Sequence, residues 1–239
     1  MPKGCVIFDF DGVIADTETL HLAAYNATFA RHTAEIGGPF HMEGVDYYSR
    51  YIAFGDREGF ARMLSDARRP HDAHLLARLC QTKGQLFEDQ LGDFAEPLPG
   101  VRQVLAHLEQ RQVLRAICSG ARRAEIMRLL GVFKLVEHFT TIVAIDDVRN
   151  GKPDPEGYNL AFERLYVAGD GLVDRRCSLI IEDSAGGCAA ARAARIPVLG
   201  VATTSSLAVI SRCADHAVEN LSHLPLEQLD TWLGLPVRE

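Results

Sequence analysis

Nowhere in the 239 residues do apolar side chains run unbroken for anything near the roughly 20 positions that a bilayer-crossing helix needs, so no membrane partner is expected. Positive charge is also scarce. Lys and Arg total 25 against 32 Asp and Glu, for a formal net charge of −7, and no extended basic run occurs, which argues against nucleic acid as a partner. Six cysteines are present but scattered: Cys5, Cys80, Cys118, Cys177, Cys188 and Cys213 include no CxxC pair and no histidine partner at zinc-site spacing. With no secretory signal read in the sequence, a disulfide framework is not expected, and Cys5 and Cys118, inside apolar runs, read as small buried residues. From Met1 the chain reaches Asp9 before any signal-length apolar stretch forms, so a cytoplasmic protein is expected. There is no internal repeat and no low-complexity segment.

What is present is an ordinary globular balance, 47% hydrophobic and 24% charged, in a length that suits one large domain or a core with a smaller inserted one. Short continuous apolar runs recur at Cys5–Phe8, Val113–Cys118, Thr141–Ala144, Leu179–Ile181 and Pro197–Val201. Runs so short and so uninterrupted suit strands buried on both faces, as in a parallel sheet. Helical stripes lie between them. Val101, Val104, Leu105 and Leu108 form one; Ile126, Leu129 and Leu130, stopped at Gly131, form another; Tyr158, Ala161, Phe162 and Leu165, capped by Asp154 with Pro155 in the first turn, form a third. The alternation predicts an α/β doubly wound parallel sheet with a Rossmann-like core. From Thr17 to Phe94 that rhythm fails. Helical patterns at Leu20–Arg31, Arg57–Leu64 and Leu75–Leu91 come without a convincing strand, and Glu96-Pro97-Leu98-Pro99-Gly100 closes the segment. The expectation is a core of residues 1–16 and 95–239 carrying an inserted all-helical domain of residues 17–94.

Ligands of open α/β sheets bind outside the carboxyl ends of the strands, so the polar residues that end each run matter most. The first run ends Asp9-Phe10-Asp11-Gly12, and residues two apart on a strand point the same way. Two ionised carboxylates about 4 Å apart repel by roughly 4 kcal/mol at an effective dielectric near 20. Such a pair needs a cation, a shared proton or divergent backbone directions; otherwise it is a pair of solvated strand-end acids. The second run ends Ser119-Gly120, a hydroxyl and free amides ahead of a helix, which suits phosphate oxygens. Gly151-Lys152-Pro153-Asp154-Pro155 follows the third run, and Glu182-Asp183-Ser184 ends the fourth. Singly, Ser119 reads equally as a helix cap, Lys152 as a loop charge and Glu182-Asp183 as a cap. Together on one sheet edge they favour a site.

These motifs, in this order, resemble the haloacid dehalogenase-like superfamily over about two-thirds of the chain, and within it the phosphoglycolate phosphatase and β-phosphoglucomutase branch. The resemblance implies a helical cap after the first motif and an aspartyl-phosphate mechanism. Asp9 would be the nucleophile, and Asp11 the acid that protonates the leaving oxygen and then activates water. Ser119, Gly120 and Lys152 would hold the phosphoryl group. Mg2+ would sit among Asp9, Asp11 (through its carbonyl), Glu182 and Asp183. Phosphoryl transfer needs in-line positioning and charge neutralisation, which such a set supplies. Asp at position 11 also sets the chain apart from the dehalogenases, which lack that acid. The expected activity is phosphatase action on a small phosphorylated metabolite, with a phosphosugar mutase as the alternative and a non-catalytic binding module as a third reading, by a monomer or weak dimer. One departure from the family pattern is Arg195 where the helix after the fourth motif usually ends in glycine.

In the helical insertion, Glu18 and His21 follow the first motif at the family's spacing, His21 resembling the mutase's cap-side histidine; the alternative is surface decoration. Arg50 and Arg57 lie in the stretch Tyr47–Arg57, which mixes aromatics with a glycine turn and reads either as a substrate-reading loop or as core packing, and Lys83 is a further substrate-side candidate. His71 and His74, three apart in a helical pattern, read as a solvated face because a catalytic metal site needs a third ligand.

Overall fold

The computed structural model describes residues 4–51, 54–90 and 96–236. Its sheet has six parallel strands in the order β3-β2-β1-β4-β5-β6: β1 Cys5–Phe8, β2 Leu114–Cys118, β3 Thr141–Val143, β4 Leu179–Glu182, β5 Val198–Val201 and β6 His216–Val218. The order reverses between β1 and β4, the switch point of a doubly wound fold, where the helices change sides and leave a crevice. Phe8 pairs with Ile117 on one side and Ile181 on the other, so Asp9 leaves the sheet level with the ends of β2 and β4.

Burial on both faces explains the continuous apolar runs. Cys5 and Ile7 point to a core shared with Tyr158, Ala161, Phe162 and Leu165 of α7 (Glu156–Ala168) and with Cys188, Ala190 and Ala191 of α8 (Ala185–Ala193). Phe8 meets Phe139 edge-on at 5.8 Å between ring centroids. The sixth strand was not anticipated: His216–Val218 is three residues long and only half-buried, too short and too polar to stand out as an apolar run.

Two compact units are present, Met1–Asp16 with Ala95–Glu239, and Thr17–Phe94. The second is helical among its described residues. It holds α1 (Thr17–Arg31), a short turn α2 (Gly44–Asp46) leading into a π-helical turn at Tyr47–Tyr51, α3 (Asp56–Asp66) and α4 (Ala73–Gln90). Its core is aromatic. Phe60 packs edge-on against Tyr25 and Phe29 at 4.7 and 5.5 Å, and Tyr47 and Tyr51 are buried there too, so the aromatic stretch is mainly packing. Ile52 and Ala53 of that stretch lie outside the described residues, as does Leu91 at the end of the last helical pattern. No described helix is long and apolar enough to cross a membrane.

Local expectations need correction in three places, at Gly131, Pro155 and His71. After α5 (Val101–Gln110) and β2, helix α6 (Arg123–Phe133) does not stop at Gly131 but runs on until Lys134 takes the left-handed conformation, φ +58°. The stripe Ile126, Leu129, Leu130 continues to buried Phe133, and that packing carries the helix past the glycine. Asp154 caps as expected, its carboxylate accepting from the Glu156 amide at 2.9 Å, but Pro155 is the boundary residue rather than part of the first turn. Arg195 does adopt the left-handed conformation, φ +59°, just past the end of α8. His71 precedes α4 and its ring faces the Arg69 carbonyl and Ser65, so it shares no helix face with His74.

Candidate active site

Four strand ends and the loop before α7 meet at the β1/β4 switch point. Asp9 is tied by its amide to the Ile181 carbonyl at 2.9 Å and is buried. Its Oδ1 lies 2.7 Å from Lys152 Nζ, and the same ammonium lies 2.6 Å from Glu182 Oε1. Lys152 reaches the site from the loop that opens α7, with its Nζ 4.9 Å from the centre of the Tyr158 ring. Ser119, at the end of β2, is fixed by the Val143 carbonyl through its amide and donates its hydroxyl to Asp11 Oδ2 at 3.1 Å. The Ala121 amide donates to Ser119 Oγ at 2.9 Å, with Gly120 between the two, but Ser119 does not cap the helix that follows: the boundary residue of α6 is Arg122, without a side-chain cap bond.

The first loop owes its shape to Gly12. Its φ is +73°, and a Cβ there would stand 1.9 Å from Asp183 Oδ2 and 2.7 Å from Thr204 Oγ1. The Phe10 carbonyl accepts from the amides of Ile14 and Ala15, turning the chain away directly after Asp11. Asp183 is buried, and the Thr204 hydroxyl donates to its Oδ2 while the neighbouring Thr203 hydroxyl donates to the Gly12 carbonyl. The loop after β5 thus holds both the first loop and the fourth. The sequence reading missed Thr203 and Thr204. Their only local signal is that two hydroxyls follow a buried strand end.

Electrostatics follow from burial. Lys152 loses hydration, yet Asp9 and Glu182 more than offset that loss and hold it firmly charged. Burial drives Asp9 upward, assisted by Glu182, Asp183 and Asp11 and resisted by Lys152. Asp183 is pushed up to about 7, first by burial and then by Glu182. Glu182 differs: burial works against its charge, but Lys152, Tyr158 and the Ser184 amide win and hold it below the usual range. Asp9, Glu182 and Asp183 each offer an oxygen within 4.8 Å of the others. Three buried carboxylates beside one ammonium leave the pocket short of positive charge, and an all-oxygen donor set suits a hard divalent cation. The residues fit such an ion.

The family model for haloacid dehalogenase-like hydrolases matches residues 6–201. The chain belongs to that family. Among relatives of this haloacid dehalogenase-like hydrolase, a phosphorylated carbohydrates phosphatase of Thermotoga maritima is 34% identical over 193 residues, 80% of this chain and 81% of the relative. A phosphoglycolate phosphatase of Mesorhizobium japonicum is 28% identical over 84% of this chain and 83% of its own. The crystal structure of a protein described as a putative β-phosphoglucomutase from Thermotoga maritima superimposes with a TM-score of 0.74 at 28% identity, covering 95% of this chain and 97% of that one. These place the hydrolase in the phosphoglycolate phosphatase and β-phosphoglucomutase branch and agree with its sheet and helical insertion.

The substrate-side candidates all belong to the helical unit. Lys83 is 2% exposed and donates to His21 Nδ1 and Asp56 Oδ1, both at 2.6 Å, with the rings of Tyr25 and Phe87 at 5.0 and 5.1 Å. His21 stacks on Phe87, and burial followed by the Lys83 charge lowers its pKa to about 3, so the ring is neutral. Glu18 accepts from the Tyr47 hydroxyl at 2.7 Å. Arg50 is held by Asp66 at 2.6 Å and lies over the Tyr51 ring. Arg57 is exposed, and no hydrogen bond or ion pair engages it among the described residues.

Proposed function

We propose that the chain is a magnesium-dependent phosphatase that hydrolyses a small phosphorylated carbohydrate through an aspartyl-phosphate intermediate. The observation that carries this reading is Lys152 held between Asp9 and Glu182 at 2.7 and 2.6 Å, beside Asp183 and Ser119, on the carboxyl edge of a parallel sheet. Asp9 attacks phosphorus, which divides the hydrolysis into two easier displacements. Asp11 gives a proton to the departing alcohol oxygen and then takes one from water, and its contact with Ser119 orients it for both steps. Lys152 and the Ser119–Gly120 turn hold the non-bridging phosphoryl oxygens. Asp9, Asp183 and the Asp11 carbonyl, with Glu182 as a further candidate, would hold Mg2+, which when bound would neutralise phosphoryl charge and lower the pKa of Asp9. The carbohydrate class rests on the name of the Thermotoga maritima phosphatase. Both sequence relatives are phosphatases, which favours release to water over return of phosphate to a sugar.

The test is a panel of phosphate esters assayed for phosphate release, with Asp9→Asn as control. The expected result is magnesium-dependent release by the native protein, abolished by a chelator and poorly supported by calcium, and no release by the variant. More than a few per cent residual activity in Asp9→Asn, or full activity in chelator, would sink the mechanism.

A further inference from the structure

The structure assigns Tyr158 as a positioning residue that acts through Glu182 on Lys152, with Glu182 serving as the seat of the lysine and not as a ligand of the metal. This rests on the reading of the site just given and names a role there for a residue outside its motifs. The argument is a count of donors. Glu182 Oε1 accepts from Lys152 Nζ and the Tyr158 hydroxyl, each at 2.6 Å. Its Oε2 accepts from the Asp183 amide at 3.0 Å, the Ser184 amide at 3.1 Å and the Ser184 hydroxyl at 3.0 Å. An ionised carboxylate offers about four lone-pair sites. Five donors therefore use its whole capacity, and a metal at either oxygen would have to displace one of them.

The carboxylate also cannot swing away. Glu182 is 0% exposed, and a Cβ on Gly187 would lie 1.7 Å from Oε1, so the first turn of α8 closes directly over it. Tyr158 is as firmly set, 1% exposed in the first turn of α7, with Ala161 and Leu165 behind it in the sheet-facing core. A Cβ on Gly157 would lie 2.8 Å from Cys118 Sγ, so the absence of a side chain lets that turn approach β2. The hydroxyl thus comes from a rigid helix start, and the ring underlies the same ammonium that the hydroxyl helps to aim through Glu182. Asp9 and Asp183 remain as the carboxylates that would hold the metal.

The experiment compares Tyr158→Phe with the native protein in three measurements: p-nitrophenyl phosphate kinetics, inhibition by inorganic phosphate, and Mg2+ binding to the substrate-free protein by calorimetry. The expected result is a fall in kcat of about 5- to 30-fold with KM moved less than about twofold, since misplacement of a positioned group acts mainly on the transition state. Phosphate inhibition weakens as well, while the Mg2+ dissociation constant moves less than about threefold. Had Glu182 been a ligand, loss of its outer partner would weaken the metal by about 10- to 100-fold, and that outcome overturns the assignment. A lowered Tm with unchanged kcat and unchanged phosphate inhibition overturns it too, leaving Tyr158 a packing residue. Should Tyr158→Phe not fold, Gly187→Ala, which pushes the Glu182 carboxylate off its seat, is read by the same three measurements and the same outcomes. Asp9→Asn keeps the two readings apart. If it is inactive while Tyr158→Phe matches the native protein, only the present inference fails; if it is active, the proposed function fails.

Discussion

Each of the two units buries a lysine, and the two sites differ in one partner. Lys152 lies between two carboxylates with the Tyr158 ring beneath it; Lys83 lies between one carboxylate, Asp56, and the neutral ring of His21, with Tyr25 and Phe87 around it. In the helical unit one ammonium meets one carboxylate, and the Asp56 side chain is 39% exposed, so charge is balanced and partly hydrated. In the sheet unit one ammonium meets Asp9 and Glu182 and has Asp183 as a further buried neighbour. A buried lysine on an aromatic face is common to both. The number of carboxylates decides which pocket still seeks positive charge, and only that one suits a metal and a phosphoryl group.

The largest expected effect separates the two lysines directly. Lys152→Met lowers kcat on p-nitrophenyl phosphate by about 100- to 1,000-fold, the loss typical of one donor aimed at developing charge, whereas Lys83→Met stays within about threefold on that ester. Equal losses in the two variants would erase the distinction. A smaller effect sharpens the comparison inside the helical unit. Arg57→Ala costs about 1.5–3 kcal/mol in kcat/KM on a sugar phosphate with a distal polar end, the range for charged hydrogen bonds, and leaves p-nitrophenyl phosphate nearly unchanged. Arg50→Ala, already engaged by Asp66, shows the smaller selectivity. If neither variant distinguishes the two esters, substrate reading lies elsewhere.

The smallest effect concerns pH. His21 has a folded pKa of about 3, below its ordinary 6.5, because burial and then Lys83 disfavour the charged ring. The unfolded chain therefore binds the extra proton first. The contribution of neutral His21 is fully present above pH 6.5 and is lost progressively as pH falls toward 3. Between pH 7.5 and pH 5 the loss is on the order of 1 kcal/mol, reduced from the full linkage value because the ring is only half-buried. Urea denaturation of the native protein and His21→Gln at both pH values measures it: the variant is expected to lose that much less stability on acidification. Identical pH dependence in the two proteins would show that the Lys83–His21 contact does not hold the ring neutral.

Much of this was legible in the residues. Cys5–Phe8 and Leu179–Ile181 are apolar without interruption because both faces of a parallel strand are covered, and the same fact exposes Asp9 and Glu182 as strand-end residues. The helical insertion was legible through the loss of strand runs after Thr17. Strand β6 was not, since an edge strand with half-buried side chains carries no such pattern. Gly131 misled because a helix-breaking residue was weighed by itself, while the apolar stripe through Phe133 outweighed it. Of the residues around the site, Thr203 and Thr204 carry only the weak signal of two hydroxyls after a buried strand end, and Tyr158 reads as part of a helical stripe.

The chain by itself determined the chemical types at each strand end and the periodicity that makes strands and helices, because both are encoded within a few neighbouring residues. It could not determine which oxygens are already taken. Ser119 meets Asp11 across 108 positions, Thr203 meets the Gly12 carbonyl across 191, and Glu182 gathers Lys152 from 30 positions away and Tyr158 from 24. Hydrogen bonds reward or reject a partner over a few tenths of an ångström, and placement that fine exists only once the sheet has closed. That closure, and not the composition of the motif, gives Glu182 its five donors and so sets it apart from Asp9 and Asp183.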